Sequence, residues 1–471
     1  MSPKSFTPFG GGVSATIVHP AAAVAIALAA ILVLLLPRKL LVVPVLLATL
    51  LVPMGNVLVV AGFHFPIDRV IILFGLTRLS WIKLTSGTEI LGSRWNKVDT
   101  AFLCWGIFQS LDFILLWRQM PAVTNRFGFL LSTVGAYFIL RFLIQDEDDI
   151  ERTVKLFAVV VVVNAAEMAY ERFTGSNLFA LLLGGVRQFP EVRDGAIRSQ
   201  GAFGHPILAG TFAATLIPLF FWLWKSGRAK GTAAVGLILA SSMVLMSGSS
   251  TPLFAYVAVV GAMCFWPLRG SMRLVRWGIV LCFIGLQLVM KAPIWFLVAH
   301  LHVINGSTGY DRSVLIDTFV RKFGDWWLLG TKSTATWGWS MSDLTNQYVE
   351  VGERGGLAAL IFFILAIKRA FGVLGKARRA AEGDRREEWL LWSLGSALFT
   401  YLVAFIGVTL WDQTQLAWVT LFAMICAATS SRVAKEGACA QVSSPNLDAS
   451  TNSVEGARPG YAWGAAARGA T

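Results

Sequence analysis

The chain has 471 residues, of which 56% are apolar and only 14% are charged, and its mean hydropathy is +0.65. A soluble protein carries about a quarter charged residues, so this composition excludes an ordinary soluble globular protein. The formal charge of +13 does not indicate nucleic-acid binding, because Lys and Arg cluster in short loops between apolar runs, where they set membrane topology.

Apolar runs of about 17–25 residues recur along the whole chain, which is the length that a helix needs to cross a bilayer. We therefore predict an all-α fold, a polytopic helical membrane protein with about 12 or 13 transmembrane helices. The third run is the weakest, because Asp68, Arg69 and Arg78 interrupt it. The predicted spans are 18–36, 40–61, 65–82, 99–117, 127–144, 153–170, 204–224, 231–247, 251–268, 274–290, 346–367, 389–410 and 414–430.

Basic loops indicate how the predicted helices are oriented. Every second connection in the later part of the chain is rich in Lys and Arg, which places these connections in the cytoplasm. They are 225–230, 269–276 and 368–386. The same alternation puts the C-terminus in the cytoplasm.

Two long loops fall on the outer side by this alternation, at about 171–203 and 291–345, the larger one lying between late spans. Long loops within a compact architecture are usually functional. Residues 1–430 then form a single transmembrane domain, and the small and polar residues of 431–471 predict a disordered cytoplasmic tail.

Neither a metal site nor a cofactor site is predicted. The chain has 5 cysteines without a Cys-x-x-Cys spacing, and most of them lie inside apolar runs, as small buried side chains do. Nucleotide-binding motifs are also lacking, which argues against an ATP-driven transporter.

The first candidate site is the stretch 197–210, where an outer loop meets an apolar span. Arg198 offers a planar cation suited to phosphate oxygens. Gly201 and Gly204 permit close approach of the backbone to a ligand, and His205 precedes a proline at the expected helix start. The alternative is that the stretch is a simple helix-start turn and that Arg198 reaches towards lipid headgroups.

The second candidate is Arg312 in the large loop, flanked by Asp311 and Asp317. An Asp–Arg surface pair of little consequence is the alternative for this group.

The third candidate is the start of the span at 346–367. Asn346, Glu350, Glu353 and Arg354 fall on one broad helical face. Ionisable residues inside a membrane tend to face a cavity or to pair with each other. The alternative is an ordinary pair of Glu350 with Arg354 near the interface.

Together these motifs resemble the O-antigen ligase/O-antigen polymerase superfamily of bacterial surface-polysaccharide enzymes. The resemblance covers about 198–367: an arginine before a Gly-rich span start, a long loop with Gly-x-x-Arg, then the polar run "TNQY" and a glycine-containing span. Family members end the loop with His-Asn and a later Gly-x-x-Gly. Asn346 and Gly356 match this pattern, whereas Thr345 stands in place of the His and Ala359 in place of the last small residue.

The resemblance implies a metal-independent glycosyltransferase that polymerises oligosaccharide repeats carried on polyprenyl pyrophosphate, for exopolysaccharide or O-antigen. The reaction takes place on the outer face of the bacterial inner membrane, without nucleic acid or a cofactor. Membrane lipid and other polysaccharide-export proteins are the expected further partners.

The same resemblance distributes roles among the candidate residues. Arginines stabilise the departing pyrophosphate, and a carboxylate or His205 deprotonates the acceptor, with Asp311, Asp343, Glu350 and His205 as the possible bases. The expected catalytic residues are Arg198, Arg312, Asp343 and Glu350, and the expected substrate-binding residues are His205, Asn346, Arg354, Gly201 and Gly204.

Thr345 in place of the family histidine favours a polymerase over a ligase that moves a finished glycan to another acceptor. A flippase or secondary transporter of lipid-linked glycan is the alternative from another class, and it predicts broken helices in two matching halves. A non-catalytic scaffold of an export complex is a third possibility.

The alternation of basic loops makes a topology prediction. Reporter fusions after Lys230 and after Arg379 should give a cytoplasmic signal, and fusions at Gly185 and Ser307 should give an outer-side signal. A cytoplasmic signal at Ser307 would contradict the mechanism, because the lipid-linked donor is expected on the other face.

Overall fold

A computed structural model describes residues 15–86, 95–193, 195–300, 309–338 and 341–443. The structure is 76% helical with almost no sheet, which confirms the all-α prediction. Among the described residues, 6 helices are long and apolar enough to cross a membrane, as expected of a multi-pass membrane protein. They are Lys97–Trp117, Met120–Leu143, Glu147–Thr174, Pro206–Ser226, Trp266–Val289 and Gln347–Ala380.

The helices follow one another in two groups, and most of their connections are short. The first group is α1 (Pro20–Leu35), α2 (Arg38–Leu51), α3 (Ile67–Ser86), α4 (Lys97–Trp117), α5 (Met120–Leu130), α6 (Ala136–Leu143), α7 (Glu147–Thr174) and α8 (Leu178–Leu182). The second group is α9 (Pro206–Ser226), α10 (Lys230–Met246), α11 (Ser250–Cys264), α12 (Met272–Val289), α13 (Gly309–Arg321), α14 (Phe323–Trp326), α15 (Gln347–Ala380), α16 (Arg385–Ala404) and α17 (Gln413–Ser443).

Two small antiparallel hairpins interrupt the helices. They are formed by β1 (Val57–Val60) with β2 (Phe63–Pro66), and by β3 (Glu191–Arg193) with β4 (Ala196–Arg198). A π-helical segment, Leu131–Gly135, joins α5 to α6, and short 3-10 turns flank α12.

The predicted span 40–61 is wrong in its second half. Helix α2 ends at Leu51, and the chain then turns at Pro53 and Gly55 into strand β1. A proline and a glycine this close together favour a turn, and the Val-rich residues that follow favour a strand. The apolar run was therefore a short helix and a strand in sequence.

Two other boundaries differ from the prediction. Helix α15 runs to Ala380, so most of the basic segment 368–386 is helical. Helix α17 runs to Ser443 and therefore extends into the segment predicted as a disordered tail. The remainder of that segment, 444–471, lies outside the described residues.

Helix α9 is central, and most of its side chains are buried against α7, α10, α11 and α16. A buried ion pair joins α4 to α6, with Arg141 Nε 3.0 Å from Asp99 Oδ1 and the Tyr137 hydroxyl also donating to Asp99. Both charged side chains are fully enclosed and satisfied by each other, so this pair is part of the structural core.

Helix α12 contrasts with α9, because none of its residues is buried by the rest of the chain. Its apolar side chains face outward on all sides, including Leu274, Leu281 and Val289. A helix that is apolar all round is compatible with a lipid environment and not with water.

Helix α15 is broken near its start. Gly355 and Gly356 have non-helical backbone angles, and Gly356 has φ +61°. The segment between α14 and α15 fills the break: Leu357 N–H donates to Trp327 O at 2.8 Å, and Thr331 N–H donates to Glu353 O at 2.8 Å. The backbone groups released by the break are thus satisfied by the neighbouring segment.

The break generates a stability prediction. Gly356→Ala should lower the thermal unfolding midpoint, because a Cβ at Gly356 would lie 2.6 Å from Leu328 O and a positive φ costs a non-glycine residue about 1–3 kcal/mol. Gly372→Ala, on the same helix with nothing within 4 Å of its Cβ position, is the matched control and should be neutral or stabilising. Equal midpoints for the two variants would contradict the proposed role of the break.

Candidate functional site

Arg198 ends strand β4 and is held from two sides. Its Nη1 lies 2.6 Å from Glu191 Oε1 on strand β3, and its Nη2 donates to Ser249 Oγ at 2.5 Å. The side chain is 6% exposed, and its Nε has no hydrogen-bond partner among the described residues. Burial lowers the pKa of Arg198, while the carboxylate of Glu191 acts in the opposite direction.

Arg312 on α13 approaches the same place from the other side. A Cβ built on Gly407 would lie 3.2 Å from Arg312 Nη1 and 2.5 Å from Thr251 Oγ1, so both side chains lie close to Gly407. Arg312 Nε is buried and unpartnered within the described part of the chain. Burial, together with the positive charges of Arg193 and Arg198, lowers the pKa of Arg312 to about 10.

The two arginines therefore both lie near the N-terminus of α11, which begins at Ser250: Arg198 bonds to Ser249, and Arg312 lies close to Gly407, as does Thr251. The exposed backbone N–H groups of a helix start favour anions. We call Arg198, Arg312, Ser249 and Thr251 the arginine site.

His205 lies next to this site and has a defined tautomer. Its Nδ1 accepts from Ile207 N–H at 3.1 Å, which caps α9, and its Nε2 is 3.4 Å from Glu191 Oε2. The proton therefore sits on Nε2, so neither ring nitrogen is free to accept a proton from a substrate in this arrangement.

Asp343 and Asp311 are exposed carboxylates close to the arginine site. Both act to raise the pKa of Arg312, against the larger effect of burial. Asp343 thus lies within electrostatic reach of the cation on which an anionic ligand would bind.

Gly201 and Gly204 approach atoms of this chain closely. A Cβ at Gly201, where φ is +63°, would lie 2.7 Å from Asn164 Oδ1. Gly204 N–H donates to Asp412 Oδ2, and its Cβ position is occupied by the Trp411 ring. The two glycines shape the turn between Arg198 and His205.

Glu350 and Arg354 form the ion pair expected from the sequence, with Arg354 Nη1 3.1 Å from Glu350 Oε1. Both line a cavity of about 220 Å³, which we call the glutamate cavity. Its other walls carry aromatic and amide side chains: Trp105, Gln109, Phe129, Gln347, Phe363, Phe405, Trp411, Gln415 and Trp418. Glu353 is not among the lining residues, and its Oε2 is 3.8 Å from Arg354 Nε.

Asn346 has a structural position at the start of α15. Its Oδ1 accepts from Tyr348 N–H at 3.0 Å and Val349 N–H at 3.1 Å, and its Nδ2 donates to Ile406 O at 3.2 Å. These bonds cap the helix that carries Glu350. Of the other motif positions, Gly356 matches the family and lies in the helix break, and Ala359, which stands in place of the last small residue, is buried.

The connection 405–412, between α16 and α17, links the arginine site to the glutamate cavity. Gly407 contacts Arg312 and Thr251, and Thr409 to Trp411 line the glutamate cavity. The connection is tied to α15, because Gln347 N–H donates to Phe405 O at 3.0 Å. The two groups of candidate residues thus share one wall.

A second cavity of about 230 Å³, which we call the aspartate cavity, adjoins the first and was not expected from the sequence. Phe129, Arg354, Trp411 and Gln415 line both. Its further walls include Asp68, Arg69, Asn125, Arg126, Ser132, Asp412 and Gln413. Burial raises the pKa of Asp412 to about 7, against the hydrogen bonds that its carboxylate accepts.

The arrangement brings together a doubly cationic anion site and, across one wall, polar and aromatic cavities. Within the described ranges, no three His, Cys, Asp or Glu side chains come together to hold a metal ion. The arginine site is suited to an anionic group, and the cavities are suited to hydroxyl-bearing ligands. Carboxylates lie near the arginine site and near the cavities.

No known protein-family model matches this chain, and no curated protein matches it. The resemblance to the polysaccharide polymerases and ligases therefore rests on the motif residues alone.

The Glu350–Arg354 pair yields a test by charge removal. If the pair serves the cavity, the double variant Glu350→Gln/Arg354→Gln should accumulate normally and make little polymer, because neutralising both partners leaves no unpaired charge. Each single variant should accumulate less than the double. The readouts are protein level and polymer level.

The exposed pair Arg386–Glu147, with Nη2 and Oε1 2.5 Å apart, is a matched control, and its double glutamine variant should keep full polymer. Full polymer from Glu350→Gln/Arg354→Gln would return that pair to a purely structural role.

Proposed function

We propose that this protein is an integral-membrane glycosyltransferase that polymerises oligosaccharide repeats carried on polyprenyl pyrophosphate, for exopolysaccharide or O-antigen. In this proposal it lies in the bacterial inner membrane with its C-terminus in the cytoplasm and acts on the outer face. The single observation that carries the proposal is the convergence of Arg198 and Arg312 at the N-terminus of α11.

Arg198 is buried and already paired with Glu191, whereas Arg312 is half-buried and has no ion pair among the described residues, so an anion bound at this helix start would supply the partner that Arg312 lacks. Each has a buried Nε without a hydrogen-bond partner among the described residues, and Arg312 also lacks an ion pair within them. A pyrophosphate offers oxygens to both guanidinium groups and to the helix N–H groups. The donor's leaving group is therefore the ligand that fits this place.

The reaction that we propose is a direct displacement. A hydroxyl oxygen of the acceptor sugar forms a bond to the anomeric carbon of the donor, and the bond from that carbon to the pyrophosphate oxygen breaks. The lipid pyrophosphate leaves with the electron pair, stabilised by Arg198 and Arg312. The hydroxyl proton goes to a carboxylate.

Asp343 is the preferred base for that proton. It is exposed and lies near the arginine site, whereas His205 carries its proton on Nε2 and Glu350 is paired with Arg354. Glu350 then orients the acceptor in the glutamate cavity by accepting hydrogen bonds from its hydroxyls.

One observation favours a second candidate, a flippase or transporter of lipid-linked glycan. Helix α15 is broken beside a polar cavity, which is a feature of transporter binding sites. Protein reconstituted in vesicles with lipid-linked donor separates the two: a transferase lengthens the glycan, and a transporter moves it across the bilayer unchanged. A ligase would transfer finished glycan once without lengthening it.

The arginine site makes a mutational prediction. Arg198→Ala and Arg312→Ala should each reduce polymer formation by at least about 100-fold, as loss of one donor to a developing oxyanion does. The lysine variants should recover only part of the activity, because an ammonium cannot reproduce the planar fork. Polymer is measured by glycan chain length in membranes with equal protein levels.

Arg276→Ala on the exposed helix α12 is the control and should make normal polymer, since within the described part of the chain its Nε donates to Met272 O of its own helix and to no other helix. Normal polymer from both Arg198→Ala and Arg312→Ala would mean that these cations are interfacial anchors.

A further inference from the structure

The aspartate cavity is a prepared site and not a packing gap. Its volume of about 230 Å³ is several times the ~30 Å³ that one water takes in the liquid, so it has room for a small organic ring. It lies inside the bundle between α2, α3, α5 and the start of α17.

Its arginines are fixed before any ligand binds. Arg69 Nε donates to Ser132 Oγ at 3.2 Å, and its Nη1 donates to His64 O at 2.8 Å. Arg126 donates to Asn125 Oδ1 from Nε at 3.0 Å and from Nη2 at 2.6 Å. Its guanidinium also lies 3.9 Å from the centroid of the Phe113 ring. Side chains held in this way lose little conformational entropy on binding.

The walls retain unused hydrogen-bonding capacity of both kinds. Asp68 Oδ1 and Gln413 Oε1 are acceptors, and Arg126 Nη1 is a donor, that have no partner among the described residues. Asp68 is 6% exposed and Arg126 is 3% exposed, so leaving these atoms unpaired is costly. A hydroxyl group both donates and accepts hydrogen bonds, so a ligand with several hydroxyl groups satisfies the unpaired acceptors and the unpaired donor of the cavity.

Arginines and carboxyl groups both line the cavity. Arg69 and Arg126 are accompanied by Asp68 and Asp412, and Arg354 is already paired with Glu350. This mixed lining favours a ligand that both donates and accepts hydrogen bonds over a simple anion.

Aromatic rings complete the wall. Phe129 and Trp411 offer apolar faces of the kind that pack against the C–H face of a sugar ring. Both rings also line the glutamate cavity, so the two cavities are adjacent and share part of one wall.

We propose that the aspartate cavity is a subsite for one neutral sugar ring, adjacent to the sugar held in the glutamate cavity. This assignment rests on the proposed function and extends it: the protein recognises at least two consecutive sugars of the acceptor chain. Arg69 and Arg126 donate to ring substituents, and Asp68 accepts from hydroxyls.

The test measures binding directly, by saturation-transfer NMR on the full-length protein in lipid nanodiscs. The probes are the methyl glycosides of glucose, galactose and mannose, with glucuronic acid as the anionic comparison. At least one neutral glycoside should bind the wild type. Arg126→Gln and the isosteric Asp68→Asn should each weaken that binding about tenfold, which corresponds to about 1.4 kcal/mol.

Arg276→Gln is the matched control for the loss of an exposed arginine and should bind as the wild type does. Thermal unfolding midpoints identify any variant that fails to fold. If Arg126→Gln fails to fold, the binding measured for Asp68→Asn, which keeps the side-chain shape, decides whether the assignment holds. No binding to the wild type, unchanged binding in Asp68→Asn, or tighter binding of glucuronic acid would each overturn the assignment.

Failure of the proposed function gives a different result. Arg198→Ala lies outside the aspartate cavity and should still bind the neutral glycoside. If it does so and also makes normal polymer, the transferase proposal fails while the sugar subsite stands.

Discussion

The break in α15 at Gly355 and Gly356 is the constraint on which the arrangement of both sites depends. In apolar surroundings a backbone group released from a helix must find another partner. The segment 327–331 supplies those partners, so it cannot move independently of α15. Helix α13, which carries Arg312, packs with Trp326 of α14 and Val349 of α15 in one small core, so it belongs to the same unit as the helix turn that carries Glu350 and Arg354.

Charged side chains inside the bundle are of two kinds: some have partners for their hydrogen-bonding groups, and others keep an unpaired donor. Arg141 and Asp99 bind each other and line neither of the two cavities described above, as expected of a structural pair. Arg126 and Arg312 instead keep buried donors without partners in the described chain. Because an unsatisfied buried donor costs about 1–3 kcal/mol, its retention is most readily explained by a ligand.

The helical class and the pairing of Glu350 with Arg354 could be predicted from the sequence, because apolar length and i,i+4 spacing are local properties. Asp68 and Arg69 were taken only as a weakness of the third span. Charges inside an apolar run indicate a cavity, so the sequence already contained an indication of the aspartate cavity. Their meeting with Arg126 and Asp412 was not predictable, since it depends on the packing of distant helices.

The arginine site was also only partly predictable from the sequence. Arg198 and Arg312 were recognised in the sequence as single residues. The helix start near them, at Ser249 and Thr251, was not recognised, because short polar residues at the start of a span usually act only as a helix cap. The second half of the predicted span 40–61 failed for a different reason, because apolar composition alone does not separate a helix from a strand.

The shared wall 405–412 has a thermodynamic consequence. Its residues touch Arg312 at one end and line both cavities at the other. A ligand that tightens this short, irregular stretch changes the free energy of binding at the other end, and by linkage the effect is equal in both directions. Occupancy by donor and by acceptor would then be cooperative without any movement of the helices, because each ligand meets a connection already ordered by the other.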